Sequence, residues 1–180
     1  MLTIGDKFPE FHVKATVSND LKTAFVDISM QTYAGRWLCV FFYPKDFSFV
    51  CPTELAAFGQ LKRQFSAQNC QILGASLDSE FVHLAWRRDH KDLNKLPFPL
   101  LSDIKRELSL ALGIIDQNSG VSMRATFLVD PHGVIRFVAV TDAKVGRSPH
   151  EALRVLAALQ TDELCPCNWQ KGDAVIRPAG

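Results

Sequence analysis

Residues 41–55 read FFYPKDFSFVCPTEL, which is an apolar strand-like run, a proline-broken turn and then a cysteine at the predicted start of a helix. Pro52 is tolerated in a first helical turn, because the N–H groups there have no partner within the helix. Glu54 adds a carboxylate to the same turn, where the helix dipole favours negative charge. The free N–H groups and the dipole stabilise an anion, so the pattern predicts that Cys51 is poised to become a thiolate. The alternative is a buried apolar cysteine, since free cysteines are among the most buried residue types.

Length and composition are those of an ordinary globular protein. The 180 residues suffice for one domain with a sizeable core, and 47% of them are hydrophobic and 22% charged. A net charge of +1 predicts no general attraction to nucleic acid or anionic membranes. No apolar run reaches the roughly eighteen residues that span a bilayer, and residues 1–10 do not resemble a secretory signal, so we expect a cytoplasmic protein. The glycine-rich phosphate loops of nucleotide-binding proteins are absent.

Five cysteines are an odd number, and in a reducing compartment they do not form a structural disulfide framework. Cys39 and Cys70 lie in apolar runs without charged neighbours, which predicts buried, inert thiols. Cys51, Cys165 and Cys167 therefore remain for catalysis, redox sensing or metal binding.

The hydrophobic pattern predicts alternating strands and helices. Residues 36–43 are a continuous apolar run, typical of a strand buried on both faces of a sheet. Apolar residues three and four positions apart predict a helix over residues 51–65. The other predicted elements are a weak strand at 23–27, a strand at 71–77, a helix capped by Asp78 or Ser79, an extended segment at 96–101, a helix at 105–112, a hairpin at 126–140, and a helix that begins with a capping box at 148–151.

This order of elements predicts an α/β fold with a mixed central sheet flanked by helices, which fits a thioredoxin-like topology. We expect residues 1–160 to form this domain. Residues 161–180 are polar and irregular, which predicts a separate mobile tail that carries Cys165 and Cys167.

Two chemistries compete for Cys51. A Cys–His hydrolase would need a nearby imidazole, and the mid-chain candidates His83, His90 and His132 occupy positions more typical of surface or core residues. In redox chemistry, the thiolate would attack a weakly bonded oxygen and become a sulfenic acid, which a second thiol would convert to a disulfide. The redox interpretation uses more of the available residues.

The tail cysteines allow two interpretations. Cys165 or Cys167 could supply the second thiol of the redox reaction. A zinc site is the alternative, although the single residue between them is a tighter spacing than zinc sites use and no further soft ligands follow.

Four separated motifs resemble those of the peroxiredoxin family. Pro44-x-x-x-Ser48-x-x-Cys51 resembles the family's active-site pattern P-x-x-x-T/S-x-x-C, and the whole run at 41–55 is similar to that of the typical two-cysteine group. The other three matching segments are RATFLVD at 124–130, VGR at 145–147 and ELCPCNW at 163–169. The Cys165-x-Cys167 pair and the run SDIKREL at 102–108 are most similar to three-cysteine, mycobacterial-type alkyl hydroperoxide reductases.

The resemblance implies roles for four residues of the first two motifs. Cys51 is the peroxidatic cysteine, Pro44 shields it from water, and the Ser48 hydroxyl binds the thiolate and the peroxide. The guanidinium of Arg124 stabilises the thiolate and the charge that develops on the leaving oxygen. Without the resemblance, Arg124 would be interpreted as an exposed charge at a strand end. Ser48 departs from the usual threonine and lacks the methyl group that fixes the rotamer.

The resemblance also implies supporting residues and a resolving thiol. Glu54 and Arg147 orient the network around Cys51. Cys165 occupies the family's resolving position, and Cys167 is an additional thiol that could resolve, exchange with Cys165 or do neither.

The implied function is reduction of hydrogen peroxide and organic hydroperoxides through a sulfenic acid and an intersubunit disulfide, in antioxidant defence. The family forms homodimers that assemble into decamer-type or dodecamer-type rings. Turnover requires a dithiol reductant, either thioredoxin-like or a dedicated disulfide reductase, and no metal, flavin, haem or other cofactor. A redox-regulated chaperone on the same fold is the rival function.

Overall fold

Strands and helices alternate through most of the chain in the computed structural model, which describes residues 1–178. The strands are β1 (His12–Thr16), β2 (Phe25–Ser29), β3 (Trp37–Phe42), β4 (Cys70–Ser76), β5 (Leu100–Ser102), β6 (Arg124–Val129) and β7 (Ile135–Thr141). The α-helices are α1 (Cys51–Gln60), α2 (Lys62–Ala67), α3 (Glu80–Asp89), α4 (Glu107–Leu112) and α5 (Pro149–Leu159). A 3-10 turn at Met30–Tyr33 follows β2.

The strands form one mixed sheet in the order β2-β1-β5-β4-β3-β6-β7. The central pairs β3–β4 and β4–β5 are parallel, whereas β3–β6 and β6–β7 are antiparallel, as are the pairs that β1 forms with β2 and β5. The predicted α/β class with a mixed sheet and a terminal hairpin is confirmed.

Strand β3 lies at the centre of the core. Cys39 and Phe41 face the layer that contains α1, α2 and α5, and Val40 and Phe42 face the opposite layer with α4 and the N-terminal segment. All four side chains are fully buried. The continuous apolar run therefore predicted burial on both faces correctly.

The helix predicted over residues 51–65 is in fact two helices, which meet at Leu61. At the end of α1 the Leu61 N–H donates to the carbonyl of Phe58 at 3.2 Å. This bond spans three residues, as in a 3-10 helix, and not the four residues of an α-helix. Gly59 precedes this break, and a Cβ added there would lie 3.2 Å from the Pro97 ring. The break therefore coincides with the close approach of a distant loop, which no local pattern reveals.

The capping box predicted for α5 is only half present. Ser148 Oγ accepts a hydrogen bond from the Glu151 N–H at 3.3 Å, as predicted. The Glu151 carboxylate instead receives two hydrogen bonds from Arg154, both of 2.7 Å. An ion pair within the helix thus replaces the second half of the box.

Residues 161–178 form an irregular segment without a helix, as predicted, but the segment packs back on α5. The Trp169 side chain is buried, and its carbonyl accepts a 3.0 Å hydrogen bond from Arg154 of α5. An isolated bridge between Leu164 and Ile176 closes the segment on itself. No helix in residues 1–178 combines the length and the hydropathy that a membrane crossing requires.

Candidate active site

Cys51 is the first residue of α1, where the sequence predicted it. Pro52 and Glu54 lie in the same first turn. The turn that follows β3 brings this helix end against the sheet, and the Cys51 side chain is fully buried. The sulfur therefore lies at the N-terminus of α1, where the helix dipole favours negative charge, and away from bulk water, where an electrostatic interaction is stronger than in solvent.

Arg124 supplies a positive charge to the Cys51 sulfur. Its Nη1 donates to Sγ at 3.3 Å, and its Nε donates to the carbonyl of Ala143 at 2.8 Å. Because β6 runs antiparallel to β3, the first residue of β6 lies at the end of β3 that leads towards α1. The side chain is only 4% exposed, so the interpretation of Arg124 as an exposed strand-end charge is wrong.

Glu54 joins the helix to two arginines. Its Oε2 accepts hydrogen bonds from Arg124 Nη1 at 2.6 Å and from Arg147 Nη2 at 2.9 Å. Its Oε1 accepts from both the backbone N–H and Nε of Arg147, each at 2.9 Å. Burial by itself raises the pKa of Glu54, but the hydrogen bonds and charge of Arg147, with the charge of Arg124, hold that pKa below its ordinary value. The carboxylate is therefore ionised at neutral pH.

Arg147 is fixed from three directions. Besides Glu54, its Nη1 donates to the Ala125 carbonyl at 2.9 Å and contacts the Thr126 hydroxyl at 3.3 Å. Its guanidinium lies over the Phe41 ring, 5.2 Å from the centroid, a cation–π geometry. The segment that precedes α5 is thereby joined to β6 and β3.

The charges of this cluster do not cancel without Cys51. Two guanidinium groups face one carboxylate in a buried site, and a second anion would restore neutrality. The Cys51 sulfur, which accepts a hydrogen bond from Arg124 at 3.3 Å, lies at the edge of this cluster, where a second anion would be held.

The other two core cysteines lie in a different environment. Burial raises the pKa of Cys39 to about 12, although the charge of Arg147 acts in the opposite direction. Burial also raises the pKa of Cys70 well above its usual range. The prediction that both are inert, buried thiols agrees with this environment.

Pro44 and Ser48 lie in the turn between β3 and α1, both partly exposed. Ser48 Oγ donates to the Lys45 carbonyl at 2.9 Å, which leaves its lone pairs free to accept. In the part of the chain that the structure describes, this hydroxyl has no hydrogen bond to Cys51. The predicted contact of Ser48 with the thiolate and the shielding role of Pro44 remain predictions.

The structure does not bring the tail cysteines to Cys51. The Cys165 thiol is half-buried, 3.5 Å from the Thr161 hydroxyl and 3.9 Å from the Ala158 carbonyl, and Cys167 is exposed. Both line an open cavity of about 920 Å³ beside α5, together with Arg154. All five cysteines are free thiols.

The sequence patterns did not predict two contacts of the site. The carbonyl of Ala143 positions Arg124, and the carbonyl of Ala125 positions Arg147. Backbone acceptors carry no residue signature, so no sequence signal could have identified them. Within residues 1–178, no group of three or more histidine, cysteine or acidic side chains is arranged to hold a metal ion.

Comparison with known proteins supplies the family. Residues 4–138 match the AhpC/TSA family. The chain is 51% identical over 184 residues to alkyl hydroperoxide reductase C of Mycolicibacterium smegmatis, covering 98% of this chain and 94% of that protein. It is 42% identical over 182 residues to Peroxiredoxin-2 of Bos taurus, covering 97% of this chain and 89% of that protein.

Solved structures agree with the sequence relatives. Mycobacterium tuberculosis AhpC superimposes with a TM-score of 0.86 at 51% identity, over 94% of this chain and 99% of that one. The reduced 2-Cys peroxiredoxin of Plasmodium vivax superimposes with a TM-score of 0.91 at 32% identity, over 99% of this chain and 95% of that one. The expected thioredoxin-like fold and the similarity to mycobacterial-type alkyl hydroperoxide reductases are both confirmed. The chain belongs to the AhpC/TSA family and is a thiol-dependent peroxidase.

Proposed function

We propose that Cys51 is the group with which this peroxidase attacks hydrogen peroxide and organic hydroperoxides. The observation that carries the proposal is the 3.3 Å contact between Arg124 Nη1 and Cys51 Sγ, inside a buried cluster with one more arginine than carboxylate. A thiolate is the nucleophilic form of cysteine, and Arg124 places a positively charged donor directly beside the Cys51 sulfur.

In the first step the Cys51 thiolate attacks one oxygen of the peroxide bond. An S–O bond forms, the O–O bond breaks, and the leaving oxygen departs as water or an alcohol after it takes up a proton. The sulfur is oxidised to a sulfenic acid by two electrons, and the peroxide is reduced by the same two. Arg124 stabilises the negative charge that develops on the leaving oxygen, and the free acceptor lone pairs of Ser48 allow it to bind the incoming hydroperoxide proton.

In the second step a tail thiol condenses with the sulfenic acid. Cys165 attacks the Cys51 sulfur, a disulfide forms and water leaves. This step needs no further oxidant. Cys165 is the favoured resolving residue because it matches the family's resolving segment, with Cys167 as an exchange partner. We treat residues 161–180 as the segment that carries this thiol, and residues 1–160 as the peroxidase domain.

The disulfide requires the site to open. Cys51 is fully buried, whereas Cys165 lies beside Ala158 at the end of α5. The first turn of α1 and the segment around Trp169 must therefore move before the sulfurs meet. Local opening of this kind involves small parts of a fold and leaves the core intact.

We expect the resolving thiol to come from a second copy of the chain, in a homodimer that assembles further into a decamer-type or dodecamer-type ring. Three exposed aromatic residues, Phe47, Phe49 and Phe81, are the kind of surface that assembly buries, and Phe49 is 94% exposed. A dithiol reductant, thioredoxin-like or a dedicated alkyl hydroperoxide reductase partner, would return the disulfide to two thiols. The free thiols fit the reducing cytoplasm.

Peptide mapping under non-reducing conditions tests this function. After one equivalent of peroxide we expect a Cys51–Cys165 disulfide between two chains, with Cys39 and Cys70 unmodified. A Cys165→Ser variant controls for the choice of tail thiol and should divert the link to Cys167 or leave a sulfenic acid that dimedone traps. An unmodified Cys51 would overturn the proposal.

A further inference from the structure

Three buried polar side chains form a network that the peroxidase chemistry does not use. Tyr43 donates its hydroxyl hydrogen to Asp46 Oδ1 at 2.8 Å, and Asp46 Oδ2 lies 2.7 Å from His83 Nδ1. His83 Nε2 lies 3.1 Å from the carbonyl of Leu101 in β5. The network thus connects the end of β3, the turn before α1, helix α3 and the sheet.

The partners determine how many protons the network holds. The Leu101 carbonyl only accepts, so Nε2 of His83 carries a proton. The contact between Nδ1 and Asp46 Oδ2 then needs a second proton, on either atom. Burial raises the pKa of Asp46, although the hydrogen bond and charge of His83 act in the opposite direction. In either form the pair has no net charge and every contact is satisfied, which suits a buried position.

Tyr43 acts as a fixed donor in this network. Burial, together with the charge of Asp46, raises the pKa of the Tyr43 phenol well above its usual range, so the hydroxyl keeps its hydrogen. The backbone N–H of Tyr43 also donates to Ala75 in β4 at 3.0 Å. One end of the network is therefore anchored to a central strand.

The backbone next to Asp46 is strained. Phe47 has a φ of 53°, in the left-handed region that a bulky side chain rarely adopts. Such a conformation persists only where the surroundings impose it. Four contacts do so. The Asp46 carboxyl group accepts from Tyr43 and pairs with His83, and the Asp46 N–H donates to Asp78 Oδ2 at 2.8 Å. The Phe47 ring packs against the Trp86 ring of α3, with 6.1 Å between the centroids.

We infer that Asp46 and His83 are positioning residues for peroxide reduction, which hold the strained turn that carries Pro44 and Ser48 into the first turn of α1. The Asp46 carboxyl group hydrogen-bonds both Tyr43, directly after β3, and His83 of α3. Without its hydrogen bonds the turn would relax from the left-handed conformation at Phe47, and Ser48 would leave its place relative to Cys51. This inference rests on the proposed role of Cys51.

Two substitutions at the same position separate hydrogen bonding from packing. In Asp46→Asn the amide oxygen can accept from Tyr43 and the amide nitrogen can donate to neutral His83, which reproduces the protonated acid. Asp46→Leu fills the space but makes neither bond. The readouts are the second-order rate constant of Cys51 with hydrogen peroxide and its rate of alkylation by iodoacetamide at the same pH. Only the reaction with hydrogen peroxide needs Ser48 and Pro44 in place.

We expect Asp46→Leu to lower the peroxide rate constant by about tenfold or more, since small displacements of reacting groups have effects of this size, while alkylation changes by less than about threefold. Asp46→Asn should restore most of the peroxide rate constant. The inference is overturned if the leucine variant reacts with peroxide like the parent protein, if both rates fall in parallel, or if the asparagine variant falls as far as the leucine variant.

Tyr43→Phe tests the positioning role of Asp46 and His83 if Asp46→Leu does not fold. It removes one hydroxyl and keeps the ring, and we expect the ratio of the peroxide rate to the alkylation rate to fall by about threefold or more. An unchanged ratio in Tyr43→Phe overturns the inference. Failure of the parent protein to react at Cys51 would instead contradict the proposed function, so the two failures are distinguishable.

Discussion

Cys51 and Cys39 are two fully buried thiols on the same face of the sheet, and they belong to the same hydrophobic cluster. The sulfur of Cys51 accepts a hydrogen bond from Arg124 and lies at the N-terminus of α1. Cys39 lies within β3, where burial raises its pKa to about 12, and in the described part of the chain no side chain donates to its sulfur. Equal exposure therefore accompanies different surroundings of the two sulfurs.

With Cys51 as the proposed reactive thiol, this difference indicates that donors, and not accessibility, distinguish it from the inert Cys39. The charge of Arg147 acts on Cys39 as well, yet burial outweighs it there. What Cys51 has in addition is a direct donor to its sulfur, Arg124, and a place at the N-terminus of α1, where the helix dipole favours an anion. Changes that remove this donor should make Cys51 resemble Cys39.

Arg124→Gln should have the largest effect among changes that leave Cys51 in place. It removes the charge that faces the sulfur and stabilises the leaving oxygen, so we expect the peroxide rate constant to fall by about 10²–10³-fold, as for loss of an oxyanion donor. Stopped-flow fluorescence would measure it. Arg124→Lys is the matched control, because it keeps the charge without the planar fork and should lose less. Full reactivity of Arg124→Gln would contradict the proposal that Arg124 distinguishes Cys51 from Cys39.

Glu54→Gln should weaken both the site and the fold. It leaves two buried guanidinium groups with a neutral partner, and loss of one member of a buried pair typically lowers the free energy of unfolding by about 3–5 kcal/mol. Denaturant unfolding of the reduced protein would measure the change. Glu151→Gln, which alters an exposed pair with Arg154, is the control and should change it by less than about 1 kcal/mol.

The same carboxylate predicts a pH dependence of stability. Because the folded pKa of Glu54 is lowered from its ordinary value of 4.5, the stabilisation is present above that pH and is lost as the pH falls through the folded pKa. The parent protein should therefore lose melting temperature more steeply below about pH 4.5 than Glu54→Gln does. Parallel curves for the two proteins would show that Glu54 does not contribute in this way.

Cys39→Ala should have the smallest effect on activity. Removal of a buried sulfur leaves a small cavity, so we expect a loss of stability of about 1 kcal/mol and an unchanged peroxide rate constant. Chemical unfolding and stopped-flow kinetics on the same sample would check both. A marked fall in the rate would show that Cys39 takes part in the chemistry.

The start of α1 could be predicted from sequence because its signals are local. Pro52 and Glu54 lie beside Cys51, and the apolar run of β3 is continuous. The break at Leu61 was not predicted. It coincides with the close approach of Gly59 and Pro97, which are far apart in sequence, so no local pattern reveals that approach. Strand β1 was also missed, since it is short and only its end is buried.

The functional site also has parts that could be predicted from sequence and parts that could not. Arg124 was identified from its family motif, and its burial follows from the antiparallel pairing of β3 and β6, which the sequence pattern does not specify. The backbone carbonyl of Ala143 has no sequence signature. Asp46 was not selected, because its partner His83 lies on α3 and looked like an ordinary helix residue.

The central claim is that Arg124 makes Cys51 reactive in spite of its burial. The most direct test is site-resolved oxidation, in which mass spectrometry follows every cysteine after a brief exposure to hydrogen peroxide in the parent protein and in Arg124→Gln. We predict that Cys51 is oxidised far faster than Cys39 and Cys70 in the parent, and that this preference collapses in the variant. Comparable oxidation of Cys39 in the parent, or an undiminished preference for Cys51 in the variant, would contradict the claim.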